Sequence, residues 1–255
     1  VTSVHAPAGE ATIVAAARAH IPLVPELTRV AVEQARDGLY RDPCLNDPDY
    51  LSTMEVQLRE SALRHWAGTE TRYSLGKRNY LCASEENLCQ CGSCLGKFQQ
   101  ALQASYEKID ALNAAWQSAF GDWDFIEVPT GIGPGQEGPP APWVDFRVFM
   151  DNQFSAFHGW ARSQAAATDT AGQVGACFAG NTSPYYGYYW PDLFHALDFV
   201  AADYTPLFLE KARSYAKPGS WSGVVLPDAA SPAEDPFLSW LPWRRAARLT
   251  RCSQT

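Results

Sequence analysis

The sequence predicts an α/β protein built from parallel β/α units, and two observations support this prediction. Short apolar runs alternate along the chain with longer segments in which apolar residues recur at helical spacing. The short runs are nearly continuous in small and β-branched residues, as in parallel strands that are buried on both faces. Because parallel strands are joined by helices, the alternation indicates right-handed β/α units.

Five short runs are predicted as strands. The first contains Ile21, Leu23 and Val24 and ends at Pro25. The others, in chain order, are 72–76 (RYSLG), 174–180 (VGACFAG), 199–204 (FVAADY) and 221–226 (WSGVVL).

Three helices are predicted between these strands. The first begins where Asp47 caps a helix with Pro48 at its first position, a place that suits proline because its missing N–H donor is not needed there. Its apolar stripe is Leu51, Met54, Leu58, Ala62 and Trp66. The other two stripes are Leu95, Phe98, Leu102, Tyr106 and Ile109, and then Phe146, Phe149, Met150, Phe154, Phe157 and Trp160.

The predicted organisation is a single domain over residues 1–255, with the Pro- and Gly-rich stretch 129–142 as a long loop within it rather than a linker. Five β/α units are fewer than the eight of a closed barrel, which takes about 250 residues. The prediction is therefore an incomplete (β/α)8, TIM-barrel-like fold with strands missing at both ends; the alternative is a complete open α/β sheet. Open sheet edges invite association, so we expect a homo-oligomer or missing barrel segments to cover them.

Composition excludes several classes of partner. The 255 residues include 20 Lys and Arg against 28 Asp and Glu, a net charge of −8. Nucleic acid is not expected as a partner, because phosphate binding requires clustered cations. No apolar run reaches the roughly 20 residues of a membrane span, and no signal peptide is visible, so we expect a soluble chain of unspecified compartment. The 9 Trp, 11 Tyr and 12 Phe fit either a large core or a site for sugars and other flat ligands.

Three of the seven cysteines form a C-x-C-x₂-C run at Cys89, Cys91 and Cys94. A tetrahedral Zn²⁺ or a similar soft-ligand metal needs four such ligands. Cys44, in a turn just before the first helix, is the first candidate for the fourth ligand, and Cys82 is the second. The alternative is a set of buried thiols or a disulfide, although C-x-C geometry disfavours a bond between neighbours. A metal with four protein ligands would fix a loop rather than activate water.

Several segments together resemble glycoside hydrolase family 42, the β-galactosidase-like barrels of clan A. Besides the strand 72–76 and the cysteine run, they are 43–48 (PCLNDP), 110–116 (DALNAAW), 123–126 (WDFI), 145–149 (DFRVF) and 198–204 (DFVAADY). The resemblance covers roughly residues 21–250. It implies a (β/α)8 barrel that hydrolyses β-galactosides or related glycosides with retention. It also implies a structural zinc ion bound by Cys44, Cys89, Cys91 and Cys94.

The expected acid/base position departs from the family pattern. Retaining hydrolysis needs two carboxyl groups about 5–5.5 Å apart, at the carboxyl ends of different strands. Where the family carries an acid/base Glu after the strand 72–76, this chain has Lys77 and Arg78. A guanidinium is not a useful acid near neutral pH, because its pKa exceeds about 12. Glu85 and Glu86, in the following loop, are weak candidates for the acid, with solvated loop carboxylates as the alternative.

The expected nucleophile position also departs from the family pattern. No Glu occupies the strand 221–226, where the family pattern requires one, and the nearest carboxylate is Asp228. The sequence therefore leaves two functions open. One is a retaining glycoside hydrolase, and the other is a catalytically degenerate, carbohydrate-binding or structural segment of a larger protein.

Five residues near the predicted strand ends are candidates for carbohydrate binding. They are Asn79, Asn181, Tyr188, Trp190 and Asp203. Tyr and Trp rings stack on the apolar faces of sugars, and amide and carboxylate groups hydrogen-bond hydroxyls. The alternatives are a loop packed on its neighbour and, for Asp203, a cap for the following turn.

Overall fold

Seven parallel strands form a closed barrel in chain order. The structure is a computed structural model that describes residues 3–7, 18, 23–28, 41–65, 72–82, 88–129, 138–180, 183–203, 205–218, 220–225 and 247–252. The strands are β1 (Ser3–Pro7), β2 (Leu23–Glu26), β3 (Arg72–Ser74), β4 (Gln173–Phe178), β5 (Phe199–Asp203), β6 (Trp221–Val225) and β7 (Ala247–Cys252). The ring closes because β7 pairs with both β6 and β1.

The five predicted strands are confirmed as β2 to β6, and the fold class is confirmed as barrel-like. In the described part of the chain the ring has seven strands, one fewer than a complete (β/α)8 barrel. The expectation of open sheet edges is wrong for the described strands, which close into a ring, whereas the expectation of fewer than eight strands holds for them. The two ends of the chain supply β1 and β7, whose register pairs Ser3 with Thr250 and His5 with Cys252. Among the described strands, each one therefore pairs with a neighbour on both sides.

Six helices and a short 3₁₀ turn lie among the described residues. The helices are α1 (Pro48–His65), α2 (Gly92–Tyr106), α3 (Ile109–Trp116), α4 (Ala141–Ala166), α5 (Trp190–Ala196) and α6 (Pro206–Tyr215), and the 3₁₀ turn is Trp123–Phe125. Helix α1 begins as predicted, since Oδ1 of Asp47 accepts hydrogen bonds from the backbone N–H groups of Asp49 and Tyr50 at 2.8 and 3.0 Å. The second predicted stripe is divided between α2 and α3, because Glu107 adopts a φ of 60° and breaks the helix.

The core forms where the predicted apolar stripes meet the barrel. Helix α4 contacts α1 and α5, and its buried apolar side chains include Phe146, Phe149 and Phe154. Within the predicted loop 129–142, residues 130–137 lie outside the described residues, and 138–140 lead directly into α4. Among the described helices, none combines the length and apolar character needed to cross a bilayer.

A single carboxylate joins the three helices inserted between β3 and β4. Oδ2 of Asp145, in the first turns of α4, accepts hydrogen bonds from the Tyr106 hydroxyl at 2.7 Å and from Nε1 of Trp116 at 2.8 Å. Tyr106 ends α2 and Trp116 ends α3. Because α2 also carries Cys94, this contact holds the cysteine-bearing helix in a fixed position against α4.

Candidate functional site

Four thiols come together beside the barrel. The Sγ atoms of Cys44, Cys89, Cys91 and Cys94 all lie within 4.8 Å of one another. Sγ of Cys44 is 3.5 Å from that of Cys94 and 3.4 Å from that of Cys91. A tetrahedral ion with metal–sulfur distances of about 2.3 Å places its sulfurs about 3.8 Å apart. The four cysteines therefore lie close enough to hold a metal ion.

Local backbone structure assembles this thiol cluster. Cys44 occupies a turn in which its carbonyl accepts from the Asp47 N–H at 3.2 Å, just before α1. Cys89 and Cys91 precede α2, and Cys94 lies in its first turn. The cluster thus joins the start of α1 to the start of α2, two elements that are distant in sequence.

Asn46 donates to two of the sulfurs, a role that the sequence interpretation missed. Its backbone N–H donates to Sγ of Cys44 and its Nδ2 to Sγ of Cys94, each at 3.3 Å. N–H donors directed at sulfur favour the thiolate that a metal requires. Only the first contact had a signal in the sequence, since a backbone N–H two residues after a cysteine in a turn can reach that sulfur, whereas nothing local indicated the contact of the side chain with Cys94.

The thiols also shift one another's pKa values. Hydrogen bonds from Cys44 and then Cys94 lower the pKa of the Cys89 thiol, whereas hydrogen bonds within the cluster raise the pKa values of Cys44 and Cys94. Cys82 is not part of the cluster. Its Sγ donates to the Tyr185 carbonyl at 3.0 Å, and burial raises the pKa of the Cys82 thiol to about 11.

The carboxyl ends of β3 and β5 are bridged by an ion pair. Nε of Arg78 lies 3.1 Å from Oδ2 of Asp203, and the two side chains are 56% and 29% exposed. Arg78 has a φ of 53°, in the left-handed region that few non-glycine residues adopt. The position after β3 therefore presents a cation already paired with the carboxylate that ends β5.

Asn79, the next residue, faces the core. It is fully buried, and its Nδ2 donates to the Leu75 carbonyl at 2.9 Å and contacts Nε2 of His158 at 3.3 Å. Nδ1 of His158 lies 2.8 Å from the Phe154 carbonyl, so Nδ1 carries the proton and Nε2 accepts from Asn79. Burial lowers the pKa of His158 to about 4, which keeps the ring neutral.

Tyr188 and Trp190 pack beneath the mouth of the barrel. The Tyr188 hydroxyl donates to the Asn79 carbonyl at 2.6 Å and accepts from the Ala179 N–H at 3.0 Å. Trp190 is 7% exposed, and its ring centroid lies 5.8 Å from that of Phe178. The hydroxyl of Tyr188 thus fixes the ends of β3 and β4 to each other.

Two half-buried rings that the sequence interpretation missed lie on the same side. The ring centroids of Tyr80 and Tyr186 are 5.3 Å apart, and Tyr186 is 5.4 Å from Tyr188. We call Tyr80, Tyr186 and Tyr188 the tyrosine cluster. The run of aromatic residues after β4 was the signal for Tyr186, whereas nothing in the sequence placed Tyr80 beside it.

Four of the candidate site residues, Glu85, Glu86, Asn181 and Asp228, lie outside the described residues.

The comparison with known protein families identifies the domain. Residues 21–224 match the profile of glycoside hydrolase family 42, described as beta-galactosidase. The chain belongs to glycoside hydrolase family 42. A comparison with curated protein sequences finds no match.

Solved structures of beta-galactosidases share the fold of this family 42 domain. One from Rahnella sp. R3 is 22% identical with a TM-score of 0.58, over 78% of this chain and 32% of that chain. One from Marinomonas ef1 is 15% identical with a TM-score of 0.65, over 92% and 44%. One from Halorubrum lacusprofundi is 17% identical with a TM-score of 0.61, over 86% and 38%. This chain therefore spans 32–44% of the length of these three proteins.

Proposed function

We propose that this family 42 domain binds a β-galactoside-type carbohydrate at the carboxyl ends of its barrel strands and hydrolyses it with retention of configuration. The family match over residues 21–224 is the observation that carries the proposal. In barrels of this kind the reacting groups lie at the carboxyl ends of the strands. That is where Asp203 and the tyrosine cluster lie.

The proposed sugar contacts divide into two layers. Asp203 and Asn181 would hydrogen-bond hydroxyl groups, and the rings of Tyr80 and Tyr186 would offer apolar faces for stacking. The second layer would not touch the sugar but would hold the strand ends in place, because its side chains are buried or hydrogen-bonded to the backbone. It consists of Asn79, Tyr188 and Trp190.

The two carboxyl groups of a retaining reaction would come from the loops after β3 and β6. Arg78 is excluded as the acid, because a guanidinium does not give up its proton near neutral pH. We then propose Glu85 or Glu86 as the acid/base and Asp228 as the nucleophile. Retention requires that the two carboxyl groups lie about 5–5.5 Å apart.

A second function, carbohydrate binding without hydrolysis, is favoured by the ion pair between Arg78 and Asp203. Arg78, one member of this pair, follows β3, where we expect the acid/base carboxylate from the resemblance to the family. If no other carboxylate replaces that group, the domain keeps a sugar-binding mouth and loses the proton transfer that departure of an alkoxide needs.

We propose zinc as the metal of the thiol cluster. Tetrahedral sites made only of thiolates are typical of structural Zn²⁺, and the spacing of the four sulfurs fits such an ion. Four protein ligands leave no open position, so the ion would connect the start of α1 to the start of α2 and take no part in hydrolysis.

One experiment tests the function: hydrolysis of aryl β-galactosides, with calorimetric titration of galactose and lactose on the same purified chain. Aryl leaving groups need little protonation, so they reveal a surviving nucleophile even without an acid. Turnover supports the hydrolase. Binding without turnover supports the second function, and neither binding nor turnover rejects both.

A further inference from the structure

Arg41 is a buried cation without a carboxylate partner among the described residues. The residue is 2% exposed. Its Nε donates to the Leu81 carbonyl at 2.7 Å, its Nη1 donates to the Pro43 carbonyl, and its Nη2 is buried without a hydrogen-bond partner. Removing a charge from water is costly unless an opposite charge compensates it. Two neutral carbonyls do not supply that charge.

The groups around Arg41 that can become negative are the Tyr50 phenol and three thiols. Burial lowers the pKa of Arg41, while the charges of nearby groups, Tyr50 and then Cys82, Cys44 and Cys89, act in the opposite direction. The Pro43 carbonyl that accepts from Nη1 immediately precedes Cys44 in the chain, which places the guanidinium beside the thiol cluster. Four thiolates around a divalent ion carry two net negative charges in a largely buried place.

We propose that Arg41 is the buried counter-cation of the metal centre and connects it to the segment that supports the tyrosine cluster. The proposal rests on the metal proposed above. The guanidinium compensates the net negative charge that the four thiolates carry when they hold the ion.

The connection runs through Leu81. The Leu81 carbonyl accepts from Arg41, and the Leu81 N–H donates to the Tyr186 carbonyl at 2.9 Å. The Cys82 N–H donates to the Tyr185 carbonyl at 3.2 Å. A negatively charged zinc–thiolate centre that attracts the guanidinium therefore fixes the pairing between residues 80–82 and 185–186, the segments that carry Tyr80 and Tyr186.

The test measures zinc affinity by competition with a chelator in the wild type and in three variants. Arg41→Gln removes the charge, Arg41→Lys keeps it, and Arg59→Gln removes an exposed arginine of α1 whose side chain is 49% exposed. We expect Arg41→Gln to weaken zinc binding at least about tenfold, the lower range for loss of an outer-shell partner. Arg41→Lys should recover part of the loss, and Arg59→Gln should bind as the wild type does. Equal affinities for the wild type and Arg41→Gln would overturn the proposal.

A purely structural role makes a different prediction for stability. If Arg41 only bonds two carbonyls, Arg41→Gln lowers the unfolding midpoint equally with and without zinc, which also overturns the proposal. A counter-cation instead makes the loss larger in the zinc-loaded protein. If Arg41→Gln does not fold, the same comparison is made with Arg41→Lys, which keeps the charge. Its unfolding midpoint should fall by no more in the zinc-loaded protein than in the metal-free protein, and a larger fall with zinc would overturn the proposal.

Amide hydrogen exchange separates the two parts of the proposal. Removing zinc from the wild type should accelerate exchange at Leu81 and Cys82, and in Arg41→Gln the metal should no longer slow it. Unchanged exchange in the wild type overturns the connection to the tyrosine cluster. A wild-type protein that binds no zinc rejects the proposed metal itself, an outcome distinct from zinc binding that ignores Arg41.

Discussion

Nε of Arg78 donates a hydrogen bond to Oδ2 of Asp203 at 3.1 Å and so connects the carboxyl ends of two strands that are separated by β4. Exposed pairs of this kind contribute only about 0–1 kcal/mol to stability. The importance of the pair is chemical, because it places a permanent cation where the resemblance to the family leads us to expect a proton donor. The first prediction follows from this pair.

If no other carboxylate serves as the acid, as in the second proposed function, replacing Arg78 by Glu should restore proton donation. A second carboxyl group beside Asp203 would have a raised pKa through like-charge repulsion and would hold a proton near neutral pH. We expect kcat/KM for alkyl β-galactosides to exceed that of the Arg78→Gln control by at least about 100-fold, the lower range for general acid catalysis. Aryl β-galactosides should gain less. Equal activity of Arg78→Glu and Arg78→Gln on both substrate types would contradict this assignment.

Replacing Cys91 by Ser should release the metal of the thiol cluster. Loss of one ligand should reduce zinc affinity by more than the roughly 10–100-fold that follows loss of an outer-shell partner, and the unfolding midpoint should fall with it. Elemental analysis of the purified variant checks the metal content. Cys177→Ala, at a buried thiol of β4 outside the cluster, is the control and should retain its zinc. Full zinc content in Cys91→Ser would rule out the four-cysteine site.

Acid should destabilise the fold through His158. Burial lowers the pKa of His158 to about 4 from 6.5, so the unfolded chain binds a proton between these values that the folded chain does not. Stability therefore falls as the pH falls from 6.5 to 4, by about 3 kcal/mol in total, and this contribution is complete above pH 6.5. Urea unfolding across this range measures it. His158→Gln should show a shallower pH dependence, and an unchanged slope would show that His158 is not the responsible group.

Adding a methyl group at Gly175 should separate β4 from β5. A Cβ atom there would overlap the carbonyl oxygen and the ring of Phe199, and overpacking of this kind costs about 1–3 kcal/mol. Gly96→Ala, in α2, is the matched control, because no atom lies within 4 Å of its added Cβ. That substitution should stabilise the helix by up to about 1 kcal/mol. Thermal unfolding of both variants should show opposite shifts, and a neutral Gly175→Ala would contradict the close approach.

Local patterns in the sequence predicted the middle of the barrel. Strands β3 to β6 are compact apolar runs, and the cap at Asp47 predicted the start of α1. These features depend on neighbouring residues, so a single sequence displays them. The spacing of Cys89, Cys91 and Cys94 likewise indicated a metal site, and the turn position of Cys44 indicated its fourth member.

Long-range contacts could not be predicted in the same way. Strand β7 (ARLTRC) carries two arginines and has no apolar run, and only its pairing with β6 and β1 makes it a strand. The break between α2 and α3 at Glu107 could not be predicted either, because no glycine or proline stands there. Asn79 resembled an exposed polar residue after a strand, yet its bridge to Phe178 turns it toward His158.

The pairing of β1 with β7 joins Val4 to Arg251, from opposite ends of the chain. Bringing such distant segments together carries a large loop-closure entropy and slows folding. We therefore expect this seam to form last, after the pairings from β2 to β6. During synthesis β1 would emerge long before β7, and until β7 is made only the side of β1 that faces β2 could pair. Substitutions that weaken β7 would then mainly reduce the yield of folding, because they prolong the time in which the unpaired side of β1 can pair with another chain.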